Sequence, residues 1–240
     1  MPIDSAPPLP PDLLPLSKLL PNFNAREMPV LGIDSHLPRI APHLLRPDAL
    51  RERFLSPPEW QPEIRAEPRF SDRMPAAAAV LVPIVLRAEP TVILTERTAH
   101  LSTHSGQVAF PGGRQDPTDV DVAHTATREA QEEIGLDPRF VEIVGTLPTY
   151  TTGTRFIVTP VIGLVQPGVA LALNAYEVAD AFEVPLSFLM DPGQHRRHAV
   201  DIGGATREWF SMVYVDGEHE RFIWGATAGM LRNLYRFLAA

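Results

Sequence analysis

The stretch Arg128-Glu129-Ala130-Gln131-Glu132-Glu133-Ile134-Gly135-Leu136 decides how this chain is read, together with Phe110-Pro111-Gly112-Gly113 upstream of it. On a helix, Glu129 and Glu133 stand at i and i+4 and Glu132 at i+3, so three carboxylates share one face. Like charges at that spacing destabilise a helix by roughly 0.2–0.5 kcal/mol per pair unless a cation sits between them. All-oxygen, highly negative donors suit a hard divalent ion such as Mg²⁺ or Mn²⁺. Mg²⁺ held by a few carboxylates keeps waters and shares its remaining positions with phosphate oxygens. The pattern points to metal-dependent chemistry on a phosphate compound; the alternative is a solvated acidic face.

The surrounding residues favour the first reading. Arg128 can pair with Glu132 at i, i+4, ordering one carboxylate without neutralising the others. Ala123, Ala126, Ala130 and Ile134 fall on the opposite arc, a narrow face suited to close packing on a sheet. Gly135 reads as the C-cap that ends the helix. The whole resembles the Nudix box: a glycine, a loop, then Arg-Glu-x-x-Glu-Glu-x-Gly and an apolar residue. The loop is one residue longer than the common box, and Asp116, Asp119 and Asp121 are each available within it. The spacing alone assigns the metal site to none of the three in preference to the others.

With 240 residues and 45% hydrophobic content, the chain can bury a full core. The net charge of −8 argues against a nucleic-acid backbone binder, which would show a basic patch. Zero cysteines remove disulfides, zinc–thiolate sites and thiol nucleophiles together, which fits a cytoplasmic protein. No stretch approaches the roughly 20 apolar residues of a membrane span, and no secretory signal is expected.

Sixteen of the 26 prolines lie within residues 1–75, which therefore read as a proline-rich N-terminal extension with a short helix at Pro47–Leu55. Its first 25 or so residues are expected to be an extended arm, either a tail or a segment joining a homodimer through Leu13, Leu14, Leu16, Leu19 and Leu20. From residue 76 to 240 the texture is that of a single α+β domain. Strands are expected at 76–86, 91–95, 107–110, 141–150, 156–165 and 183–186. Pro83 suggests an edge or bulge in the first of these. The box helix spans about 121–134. A hairpin turns at Asp216-Gly217, and a helix of about 225–238 ends the chain. The Nudix resemblance implies an α/β/α sandwich around a mixed sheet.

Upstream of the box, the run from Ile93 to Gly113 resembles the extra motif of the coenzyme A diphosphatase branch. The matching positions are Leu94, Thr95, Arg97, Gly106, Phe110, Pro111, Gly112 and Gly113. Further resemblance lies at Val158–Val161, Phe182–Leu186 and Ile223–Gly229. One departure stands out: Ser102 occupies the place of the motif's second arginine, and Thr98 that of its serine. Serine cannot replace a guanidinium fork on phosphate. His100 and His104 flank the gap as candidate substitutes.

The resemblance implies metal ligation by Glu129, Glu132 and Glu133, with a carbonyl from Gly112 or Gly113 as a further donor. Substrate contacts are expected from Arg97, His104, Gly112 and Gly113. The base is expected to be a box glutamate, Glu132 or Glu133, or Glu177 from a later loop. The substrate is a small-molecule nucleotide: coenzyme A or its thioesters, or alternatively ADP-ribose, a dinucleotide or a nucleoside triphosphate. A non-catalytic ligand sensor on the same scaffold is disfavoured, because all three box glutamates are intact.

Overall fold

Ala76–Val85 holds a strand despite its four leading alanines, because both of its faces are covered (β2). Ala79, Leu81 and Val85 enter one core cluster while Ala78, Val82 and Ile84 enter another, which is the alternation a central strand requires. The computed structural model describes residues 23–67, 74–98, 106–202 and 205–240.

Around β2 the main sheet is completed by β3 (Thr91–Arg97), β4 (Val108–Ala109), β5 (Gly112–Arg114), β6 (Val141–Thr146), β7 (Tyr150–Thr151), β8 (Phe156–Val165) and β9 (Val178–Pro185). The sheet is mixed: β2 and β8 run parallel in unbroken register, and the other pairings are antiparallel. A second sheet orders β1 (Gly32–Ile33), β10 (Arg196–Ile202), β11 (Ala205–Asp216) and β12 (His219–Trp224), with β1 at one edge. Helix α1 (Pro47–Leu55) precedes the main sheet in the chain. Helix α2 (Val122–Ile134) carries the acidic motif, and α3 (Leu186–Leu189) and α4 (Gly225–Ala239) follow. Helix α2 lies on one face of the main sheet through Ala126, Ala130 and Ile134; α1 and α4 pack with the larger cluster on the other. This is the α/β/α sandwich with a mixed sheet that the sequence leads one to expect.

Two expectations need correction. Pro83 is at neither an edge nor a bulge, for it pairs in register with Gly163 of β8. Its opposite side faces the place where β2 passes from β5 (Ala78–Val80) to β3 (Ile84, Val85), so no partner there needs its missing N–H. The single strand expected over 141–150 is two, β6 and β7, with Leu147-Pro148 between them and a register shift near Ile143 and Gly145. Strands β1 and β10 were not legible at all.

The short helix at Pro47–Leu55 forms as read. It is no isolated appendage: Leu45 and Leu50 are buried in the same cluster as the C-terminal helix, and β1 pairs with β10. Of the expected arm, residues 1–22 lie outside the described residues, so the five leucines offered for a subunit contact do too. Where the description begins, Phe23 packs edge-on against Trp209, Asn24 caps a tight turn at Ala25–Glu27, and Arg26 pairs with Glu220 at 2.6 Å. No helix among the described residues is long and apolar enough to cross a membrane.

Candidate active site

Helix α2 begins at Asp121, whose carboxylate accepts from the backbone N–H of His124, and ends at Gly135 in the left-handed conformation. Its acidic face turns toward the Gly112–Gly113 strand. Gly112 is required by close approach: a Cβ there would stand 2.5 Å from the Ala79 carbonyl oxygen and the Val80 Cα. That closeness lets β5 pair with β2 directly beneath the helix. At Gly113 an added Cβ would overlap the carboxylate of Glu129. Gly113→Ala is therefore expected to push Glu129 off its place and cut turnover by about tenfold or more, with the melting temperature little changed. Steady-state rates beside a thermal melt check this; unchanged turnover would contradict it.

Glu133 is buried, and its Oε2 accepts from the Gly112 N–H at 3.2 Å. Arg97, at the end of β3, holds Nη1 3.9 Å from Glu133 Oε1. Burial lifts the Glu133 carboxyl to about 7, against the lowering pull of the Gly112 N–H and Arg97; the charges of Glu129 and Glu177 add to the rise. Glu129 is raised as well, again chiefly by burial. Crowded, partly desolvated carboxylates are what an added cation would relieve, and every donor is oxygen. Glu129 and Glu133, with the backbone of Gly113, thus fit a hard divalent ion.

Arg128 organises the other side. Its Nε and Nη2 each donate to Asp119 at 2.9 Å, and its Nη1 reaches Glu129 Oε1 at 2.9 Å and Glu132 Oε2 at 3.2 Å. The pairing with Glu132 agrees with the sequence. The contact with Glu129 does not, since Arg128 was expected to hold one box carboxylate only; the two lie on adjacent turns within one guanidinium's span. Glu132 is consequently exposed and directed at Arg128 rather than at Glu133. Among the described residues, no three His, Asp or Glu side chains form a ready-made ion cage.

The loop acids have separate duties. Asp119 is inaccessible to solvent, accepts from the Asp116 N–H at 2.8 Å, and is held well below the usual carboxylate range by the Arg128 fork. Asp121 caps the helix, and Asp116 accepts from Thr118. The longer loop puts the motif's first acidic position on Asp119 when counted from Gly113 and on Val120 when counted back from Arg128, which leaves all three open in the sequence. The signal available was Arg128, which needs a carboxylate partner.

Glu177 is brought to the site by its loop. Ala172 and Asn174 donate to the carbonyls of Ile134 and Glu133 at the end of α2, and Thr98 donates its N–H to the Glu177 carbonyl at 3.0 Å. Its charge is felt at both Glu129 and Glu133. His104, His100 and Ser102 lie outside the described residues. Arg97 has a further feature: its Nε is buried with no hydrogen-bond partner among the described residues.

The Arg-anchored acidic helix over a Gly-Gly strand in a mixed-sheet sandwich is the arrangement of a Nudix-type hydrolase domain, and the sequence comparisons agree. The NUDIX domain profile matches residues 75–185. The chain is similar to the uncharacterized Nudix hydrolase NudL of Citrobacter koseri, 45% identical over 160 residues, covering 65% of this chain and 80% of that protein. To the NudL of Shigella flexneri serotype 5b it is 41% identical over 177 residues, covering 72% and 86%. Among solved structures, a Caenorhabditis elegans Ap4A hydrolase binary complex matches at 23% identity and TM-score 0.39, covering 46% of this chain and 80% of that one. The chain belongs to the Nudix hydrolase family, and it is a Nudix pyrophosphohydrolase.

Proposed function

We propose that this enzyme cleaves the diphosphate bond of coenzyme A or its thioesters, releasing 3′,5′-ADP and the corresponding 4′-phosphopantetheine. The observation that carries the hydrolytic part is the pair Glu129 and Glu133 over Gly112–Gly113, with Arg97 beside Glu133. Glu129 and Glu133 would hold Mg²⁺ or Mn²⁺ with the carbonyl of Gly113, and Glu132 would join them by turning from Arg128. When bound, such an ion neutralises non-bridging phosphate oxygens and acidifies a water.

The chain's own groups do the rest. Arg97 donates to a phosphate oxygen, satisfying the buried Nε that has no hydrogen-bond partner among the described residues. Gly112 and Gly113 present no side chain beside Glu129 and Glu133, which leaves room for the substrate along this strand, and the Gly112 N–H keeps Glu133 in place. Glu177 accepts the proton as the water oxygen bonds to phosphorus and the bridging P–O bond breaks; a box carboxylate not engaged by a cation is the other candidate base. His104 adds a substrate contact in the same motif. The coenzyme A preference is supported by the run Leu94, Thr95, Arg97, Gly106 and Phe110–Gly113, which carries the branch's motif except at Thr98 and Ser102. The substrates are small nucleotides, and neither nucleic acid nor membrane is invoked; a homodimer through the N-terminal arm remains part of the proposal.

The test is product analysis on a panel of coenzyme A, acetyl-coenzyme A, ADP-ribose and NADH with Mg²⁺ or Mn²⁺. The expected outcome is 3′,5′-ADP from the first two at the highest kcat/KM. Preferred cleavage of ADP-ribose or NADH would displace the coenzyme A reading. A second expectation concerns Ser102: a charged hydrogen bond to phosphate contributes roughly 1.5–3 kcal/mol, so Ser102→Arg should raise kcat/KM for coenzyme A by about tenfold or more. Dephospho-coenzyme A, lacking the 3′-phosphate, should gain little. Equal gains for both would place the residue at the diphosphate instead.

A further inference from the structure

We propose that Arg221, on the second sheet, is a positioning residue that aims Arg97 into the active site through a bulge in β9; this rests on Arg97 being a phosphate contact. Strands β3 and β9 pair in step from Thr91 opposite Pro185 to Glu96 opposite Asp180, and then the register skips. Arg97 faces Val178, leaving Ala179 unopposed. The core records the same skip: Ala181 and Val178 both lie on the α2 side of the sheet, three residues apart where an unbroken strand alternates by two. Bulges of this kind re-aim side chains beside active sites.

The two residues that flank the skip on the opposite face are gripped by one side chain. Arg221 of β12 donates from Nη1 to Glu96 Oε2 at 2.9 Å and from Nη2 to Asp180. Its guanidinium stands 4.1 Å from the centre of the Phe182 ring, with Asp216 at 3.9 Å, and only 8% of the side chain is exposed. Glu96 and Arg97 are consecutive, so their side chains leave opposite faces of β3. Fixing Glu96 from below therefore fixes the pleat from which Arg97 reaches Glu133 above. Two carboxylates on two strands need a planar fork, which lysine lacks.

A double-mutant cycle on coenzyme A hydrolysis tests this, using Arg97→Gln, Arg221→Met, the double variant and Arg221→Lys, each with its melting temperature. Arg97→Gln should lower kcat/KM by about a hundredfold, as loss of a transition-state charge contact does. Arg221→Met should lower it by about tenfold through misplacement, and Arg221→Lys should recover only part. In the Arg97→Gln background, Arg221→Met should change kcat/KM by less than about twofold, because contacts that act through one another are not additive. Should Arg221→Met fold poorly, Glu96→Gln removes the same grip and is expected to show the same non-additivity. Full activity in a folded Arg221→Met, or an equal loss in both backgrounds, would overturn the proposal while leaving Arg97 in place. An Arg97→Gln enzyme as active as the parent would instead overturn the reading of Arg97, and the proposal with it.

Discussion

Replacing Glu133 with Gln is expected to cut turnover by about a hundredfold or more, as loss of a central electrostatic element does, while raising the metal-free melting temperature at pH 8. The second half follows from linkage. The Glu133 carboxyl titrates at about 7 in the folded chain, above its ordinary value of 4.5. A raised folded pKa contributes stability that is fully present below the unfolded value and is lost as pH rises through about 7. Glutamine never ionises and so escapes that loss. Parent and variant should therefore melt alike near pH 4.5 and diverge by a few degrees at pH 8, the variant higher. Thermal melts in chelator across this range check it. Retained activity, or a variant that melts lower at pH 8, would remove Glu133 from the site.

Replacing Arg128 with Gln should act in the opposite direction on stability. Its fork holds the inaccessible Asp119 and, through one further N–H, Glu129 and Glu132. Removing it strands a buried carboxylate and lets the 114–121 loop move away from the helix. The melting temperature should fall by several degrees at pH 7, and turnover by about tenfold or more as Glu129 loses its anchor. Asp119 is depressed in the folded state, so its contribution is present above its ordinary value and lost as pH falls through the folded one. The gap between variant and parent should accordingly be widest at neutral pH and narrow in acid. A gap independent of pH would mean that Arg128 acts through something other than Asp119.

These two residues also mark how far the sequence could be read. Helix α2 was legible because its alanines, its acids and its terminal glycine all follow one helical period and one capping rule. Strand β2 was legible because its second half is Val- and Ile-rich. Strand β10 was not: Arg196-Arg197-His198-Ala199-Val200-Asp201-Ile202 has no apolar alternation. Arg197 is satisfied by Asp34 at 2.8 Å and Glu63 at 2.8 Å, both far away in the chain. For the same reason residues 1–75 read as a proline-rich extension, although residues 23–67 supply those acids and the buried Leu45 and Leu50. Prolines restrict the backbone without preventing it from packing.

Within the site, the acidic face could be seen from spacing alone, because i and i+4 are geometry. The approach of Arg97 to Glu133 could not, since it depends on the bulge opposite Glu96 and Arg97. Strand β5 was hidden for a simpler reason. Gly112-Gly113 reads as a turn until β2 is placed beneath it, and only then does the absence of a Cβ become a condition for pairing.

Everything proposed for the site depends on Glu129 and Glu133 holding a divalent cation over Gly113. Mn²⁺ titration followed by electron paramagnetic resonance, on the parent and on Glu129→Gln and Glu133→Gln, tests it most directly. The parent should bind Mn²⁺ saturably, with affinity weakened by about tenfold or more in either variant, as loss of a ligating carboxylate does. Equal Mn²⁺ binding by all three proteins would contradict it.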